Sequence, residues 1–77
     1  MKEKKLEPYQ ERMIQEYKEL KEKHRKLHKL LLKDSLGKLD FELTCPYSLL
    51  KHQEVVMAEY LVILERRAIL EGIDLGD

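Results

Sequence analysis

Two long stretches of the chain carry apolar residues at helical spacing. In the first, Met13, Tyr17, Leu20, His24, Leu27 and Leu31 recur at alternating steps of four and three. That is a heptad-like seam, the pattern of a helix that packs along one line against another. In the second, Leu50, Gln53, Met57, Tyr60, Leu64 and Arg67 recur at alternating steps of three and four. Beside them stand Leu49, Val56, Ile63 and Leu70, each seven apart, with Leu61 and Ala68 on the opposite flank. At about 100° per residue this second stretch presents a non-charged arc of roughly 160°, interrupted mainly by Arg67.

Proline and glycine mark where these helices begin and end. Pro8 and Pro46 each precede a periodic stretch, and Gly37 and Gly72 each follow one. Proline near a helix start and glycine just past its end is the expected asymmetry. The predicted helices run over 8–35 and 46–71, each roughly 40 Å long at 1.5 Å per residue. Residues 1–7 form an N-terminal arm, 36–45 a connection and 72–77 a tail. Within the connection, Leu39, Phe41 and Leu43 alternate with other residues, which predicts that it packs back on the end of the helices. Equal arms with one connection imply a single all-α domain, an antiparallel two-helix hairpin with a short N-terminal arm.

A hairpin of 77 residues buries too little surface to offset its ordering entropy, which at about 1.5 kcal/mol per residue exceeds 100 kcal/mol. One cysteine, Cys45, excludes an intramolecular disulfide framework and a Cys-based zinc finger. One partner helix covers only a seam, so the surplus apolar arc of the second helix needs other helices. The expectation is an obligate, helical homo-oligomer formed through that helix.

Charge narrows the choice of partner. Lys plus Arg and Asp plus Glu both count 15, for a net charge of zero. Overall charge therefore offers no attraction to long nucleic acid or to a membrane. The longest apolar run is five residues, Tyr60 to Leu64, too short to span a bilayer. The opening MKEKKLEPYQ lacks the apolar segment of a secretory signal. The charge is nonetheless divided. Residues 1–38 hold 12 basic and 7 acidic side chains, and residues 39–77 hold 3 and 8. A basic arm lying against an acidic arm is one account. Lys21, Arg25, Lys29 and Lys33, however, recur every four residues with Lys18 and Lys26 nearby. Like charges at that spacing repel by a few tenths of a kcal/mol per pair. A bound anion such as a phosphodiester relieves the repulsion better than dispersed acids do.

Candidate chemistry is binding rather than catalysis. The sequence shows no nucleophile beside a base, no glycine-rich phosphate loop and no paired carboxylates. His24 and His28 stand one turn apart, but the ligand set for a metal is incomplete, and no cofactor is implied. Tyr9 follows Pro8 in the first turn of the first helix, flanked by Gln10 and Arg12. An aromatic face beside helix-start N–H groups and a cation suits a small nucleotide; packing on a neighbouring protomer is the alternative. Arg67 stands where Leu or Ala is expected and so needs an anionic or carbonyl partner. Arg66 precedes it, facing outward. An interface salt bridge and a ring of Arg67 side chains around a polyanion both satisfy Arg67.

The segment Tyr9-Gln10-Glu11-Arg12-Met13-Ile14-Gln15-Glu16 resembles an opening of the form Tyr-Gln-x-Arg-Val-x-x-Glu. It is continued by Glu19-Leu20-Lys21-Glu22-Lys23, by Lys26-Leu27, and by the series Leu50, Gln53, Met57, Tyr60, Leu64, Arg67. Over about Glu7 to Leu70 the chain resembles the small phage hairpin proteins that include anti-CBASS and anti-Thoeris nucleotide sponges. That resemblance implies a non-catalytic protein of the host bacterial cytoplasm. It would bind the cyclic nucleotide messengers of bacterial immunity and keep them from their effectors. Relatives form oligomers, often hexamers, with pockets between protomers for cyclic dinucleotides, cyclic trinucleotides or cyclised ADP-ribose derivatives. On the same resemblance Tyr9 stacks on a base, Pro8 and Gln10 shape its pocket and Lys26 pairs with a phosphate. Arg67 serves a second, central site. His28 replaces a small residue such as Thr and narrows a trinucleotide-type pocket. The ligand-binding set is thus Pro8, Tyr9, Gln10, Arg12, Lys26, His28, Arg66 and Arg67. The alternative is a non-enzymatic coiled-coil adaptor that binds a helical protein through the second helix.

Overall fold

The computed structural model describes residues 5–76; residues 1–4 of the N-terminal arm and Asp77 of the tail lie outside the described residues. Helix α1 spans Pro8–Ser35 and helix α2 spans Tyr47–Glu71. The two pack as an all-α hairpin 53 × 18 × 17 Å in extent. Helix α2 begins one residue later than its pattern predicts. Pro46 is extended (φ −59°, ψ 143°) and caps the helix, its carbonyl accepting from the Leu49 and Leu50 amides.

Both helices end in the same way. Gly37 has φ 71° and Gly72 has φ 68°, left-handed values that a side chain makes costly. The Gly37 and Gly72 amides donate to Asp34 and Ile69, and the Lys38 and Ile73 amides donate back to Lys33 and Ala68, each at 2.8 Å. This double closure turns the chain back along its own helix. After α1 it brings Lys38 beside Lys33. After α2 it directs Ile73 and then Leu75 onto the hairpin.

The core sits at the end of the hairpin formed by the start of α1 and the end of α2. Met13, Tyr17, Leu64, Ala68, Ile73 and Leu75 form one buried cluster, with Leu6, Ile14, Leu20 and Leu61 packed against it. The tail is therefore part of the core, which the sequence reading did not foresee. At the connection end Leu31 is buried, while Leu39 and Leu43 are half-buried and Phe41 is exposed. The connection thus folds back only in part.

Helix α1 presents the expected seam, with Met13, Tyr17 and Leu31 buried and Leu20, His24 and Leu27 half-buried. Helix α2 is rotated from expectation by about half a residue step. Its seam is Leu50, Glu54, Met57, Leu61, Leu64 and Ala68. Gln53, Tyr60 and Arg67, expected on the packed stripe, are exposed. The reason is desolvation. Leu61 and Ala68 lose little on burial, whereas Arg67 would need a buried counter-charge. This rotation leaves apolar residues on both flanks of α2. Leu49, Val56, Ile63 and Leu70 lie on one, and Val55, Val62 and Ile69 on the other; all are exposed. Ser48, His52, Glu59 and Arg66 form the exposed polar ridge between them. Helix α2 thus carries exposed apolar residues on two faces besides its seam, more than packing on α1 alone covers. The accessible surface agrees. The hairpin exposes 6277 Å², against roughly 5,000 Å² for a compact monomer of its 9.3 kDa mass.

If the tail closes the core, Ile73→Ala and Leu75→Ala each destabilise the protein by about 2–4 kcal/mol. Urea denaturation followed by circular dichroism reads this as a lower midpoint. Unchanged midpoints would show that the tail is dispensable.

Candidate functional site

At the terminal end of the hairpin, four side chains meet. Pro8 lacks an N–H and opens α1. Gln10 is buried, its side-chain oxygen accepting from the Glu7 amide at 2.9 Å. The Gln10 amide nitrogen faces Glu71, donating to Oε1 at 3.2 Å, and lies 3.4 Å from the Tyr9 hydroxyl. The Tyr9 hydroxyl itself donates to Glu71 Oε1 at 2.9 Å. Arg67, one turn before Glu71, reaches its other oxygen at 3.9 Å. The Tyr9 ring is thus pinned by its polar end while the residue remains 45% exposed. Acceptance by the Glu71 carboxylate, together with desolvation, holds the Tyr9 phenol above its ordinary ionisation range. It stays a neutral donor. The helix start offers fewer N–H groups than the sequence suggests. Gln10 and Glu11 amides already donate to the Glu7 carbonyl, and Pro8 has none.

This arrangement is a flat aromatic platform beside a carboxylate and a guanidinium. It suits stacking of a planar ring on Tyr9, with Arg67 placed to meet an anion that outcompetes Glu71. Glu71 was not foreseen as a functional residue. Its signal was available in the match of an acid at the end of the second helix to a tyrosine at the start of the first, which an antiparallel hairpin places side by side.

The other expected site residues lie elsewhere. Arg12 is exposed one turn along α1, and Arg66 stands on the polar ridge of α2. Lys26 follows Tyr9 by 17 residues on the same helix, a rise of about 26 Å. It lies 3.9 Å from Glu22, whose carboxyl is held low chiefly by its bond to Arg25. No ligand of nucleotide size reaches both Tyr9 and Lys26 of one protomer. His28, expected at a ligand pocket, is engaged by the hairpin itself. Its Nδ1 meets Glu54 Oε2, and its ring stacks on His24 with centroids 6.3 Å apart and planes 12° from parallel.

Glu54 is the buried acid of the α2 seam, 5% exposed. Lys51 donates to its Oε1 at 2.7 Å. The bond from Lys51, then that from His28, hold the Glu54 carboxyl below its ordinary 4.5 against the opposing effect of desolvation. Other carboxylates across the seam are met by tyrosines. The Tyr17 hydroxyl donates to Glu65 at 2.7 Å and the Tyr60 hydroxyl to Glu16. The ion pairs Arg25–Glu22, Lys26–Glu22, Lys51–Glu54 and Arg67–Glu71 each lie within one helix. The basic and acidic arms are therefore joined by phenol–carboxylate and imidazole–carboxylate bonds in addition to general attraction.

Because folded Glu54 ionises below the unfolded value, the folded state binds fewer protons than the unfolded one in that interval. Its contribution is present in full above about pH 4.5 and is lost as pH falls through the depressed folded value. Urea midpoints measured from about pH 6 down to about pH 3 should fall more steeply for the natural protein than for Glu54→Gln. Parallel curves would remove Glu54 from the account.

The family described as Sequestin matches residues 7–70, which covers α1, the connection and α2 as far as Leu70, and stops before Glu71 and the tail. No curated protein and no solved structure matches the chain. The match extends over most of the hairpin, including Tyr9, Gln10, Lys26 and Arg67. The chain belongs to the Sequestin family.

Proposed function

We propose that this protein is a phage-encoded sponge that binds cyclic nucleotide immune messengers in the host bacterial cytoplasm and withholds them without cleaving them. The observation that carries the reading is the Tyr9 platform, a half-exposed ring pinned by Glu71 and Gln10 beside Arg67. It occurs in a chain whose family is described by a name that denotes sequestration. The ligand classes are those of the resemblance: cyclic dinucleotides, cyclic trinucleotides or cyclised ADP-ribose isomers.

The separation of Tyr9 from Lys26 supports a pocket shared between copies. A base stacked on Tyr9 of one protomer meets Lys26 only if another protomer supplies that lysine. Both apolar flanks of α2 are open for that assembly, and the resemblance favours a hexamer. A nanomolar site needs about −12 kcal/mol. Stacking contributes about 1–3 kcal/mol per base. Charge-assisted phosphate contacts and a preformed oligomer supply the remainder. The same open flanks favour the second reading, an adaptor that docks a helical protein on α2.

Native mass spectrometry with a panel of the three ligand classes decides between them. The expected result is a discrete oligomer that gains the mass of one ligand and releases it intact on heating. Tyr9→Ala should abolish that gain with the assembled mass unchanged. Val56→Glu with Ile63→Glu should lower the assembled mass. An oligomer that takes up none of the panel supports the adaptor, and a linearised product would overturn the non-cleaving sponge.

A further inference from the structure

The α1 cation stripe acquires a second wall at the connection end of the hairpin. There an open cleft of about 350 Å³ is lined by α1 on one side and by Lys38, Leu39, Asp40 and Phe41 on the other. Arg25, Lys26, Lys29 and Lys33 face it from the helix. The turn at Gly37 and the bond from the Lys38 amide to the Lys33 carbonyl fold Lys38 back towards the stripe. Five cations therefore line a space that holds one carboxylate, Asp40. Glu22 engages Arg25 and Lys26. Among the described residues, no carboxylate pairs with Lys29, Lys33 or Lys38.

The cleft also has an apolar side. Leu30 and Leu39 are half-buried on it, and Phe41 is 58% exposed. Two costs coincide here. Like charges four residues apart repel, and an exposed phenyl ring orders water. An inorganic anion relieves the first alone, and an apolar side chain the second alone. A ligand with a flat ring at one end and a phosphate at the other relieves both. A volume of a few hundred Å³ is of the size that small ligands use.

We infer that this cleft is a second binding site, for a nucleoside phosphate, with the base against Phe41 and the phosphate on Lys29, Lys33 and Lys38. It stands at the opposite end of the hairpin from Tyr9 and does not rest on the sponge reading. Lys26 lies on its rim, and the residues that define it are those of the connection. The site is open to solvent, so its affinity falls with ionic strength.

The test is an amide-resolved NMR titration of the full-length protein with AMP, adenosine and inorganic phosphate in parallel. AMP should shift the amides of Lys33 and of 38–41, and should bind more tightly than adenosine or phosphate. Lys33→Ala with Lys38→Ala should weaken AMP by about tenfold or more, as loss of charge-assisted bonds implies. Phe41→Ala should reduce AMP to the level of phosphate, and Tyr9→Ala should leave the cleft titration unchanged. Circular dichroism checks that each variant keeps its helices. The inference is overturned if AMP shifts nothing at the connection. It is also overturned if phosphate binds as well as AMP, which would mean a diffuse cationic surface. A fall in assembled mass in the lysine variants, with AMP binding unaltered, would assign the cleft to a neighbouring copy's acidic arm instead. Failure of the cyclic nucleotide panel with a positive AMP titration would sink the sponge and leave this site standing.

Discussion

Two helices can share only one line of contact, and every other feature of this molecule follows from how little that line buries. The seam must combine adequate apolar contact with a defined register. Met13, Tyr17, Leu64 and Ala68 supply the contact at one end. Glu54 constrains the register in the middle. This buried acid takes Lys51 from its own helix and His28 from the other, so a slip of the helices would part it from His28, and losing a partner is costly for a buried carboxylate. A polar residue at a seam position is a known means of specifying register at some expense of stability. The tyrosine–carboxylate bonds at Tyr9, Tyr17 and Tyr60 repeat the logic along the hairpin. Each joins a rigid ring on one helix to an acid on the other.

The shortage of buried surface also explains the tail. Closing α2 through Gly72 returns Ile73 and Leu75 to the core, adding two large side chains without a third helix. The tail thereby firms the same end of the hairpin that holds Tyr9, Gln10 and Glu71. A binding platform is better held where its supporting residues are packed, since less ordering remains to be done when ligand arrives. The connection end is the converse. Leu31 is buried there, but Phe41 and Leu36 are largely exposed, and the cations of α1 face an open cleft. One hairpin thus carries a packed aromatic end and an open cationic end.

Helix α2 carries more apolar surface than the hairpin itself covers. Only its seam is covered by α1, and both of its apolar flanks stand exposed. The proposed sponge would use that uncovered surface, because Tyr9 and Lys26 stand about 26 Å apart along one helix. Residues that the resemblance assigns to one ligand are distributed along one helix, so neighbouring copies would have to bring them together.

The helices, their limits and the antiparallel hairpin were legible in the sequence, because periodicity and the proline and glycine signals act locally. Helix α1 ends as its pattern predicts, and α2 departs by a single residue at Pro46. The zero net charge, the lone cysteine and the surplus apolar surface of α2 were equally plain. Which of two adjacent frames on α2 faces α1 was not. Leu50, Met57 and Leu64 belong to both, and the choice between Gln53, Tyr60, Arg67 and Glu54, Leu61, Ala68 depends on what α1 offers opposite them. His28 and Lys51 make Glu54 tolerable in the seam, and Ile73 and Leu75 cover the side where Ala68 lies. The His28–Glu54 pairing spans 26 residues and the tail returns only through the turn at Gly72, so neither is visible to a pattern read along one helix. The same holds for the site. Tyr9 and Gln10 were readable from their place at a helix start, but Glu71 joins them only because the hairpin returns the chain to that end, 62 residues later. Likewise the lysine stripe was visible as a repeat, whereas the cleft exists only because the turn at Gly37 sets Lys38 and Phe41 across from it.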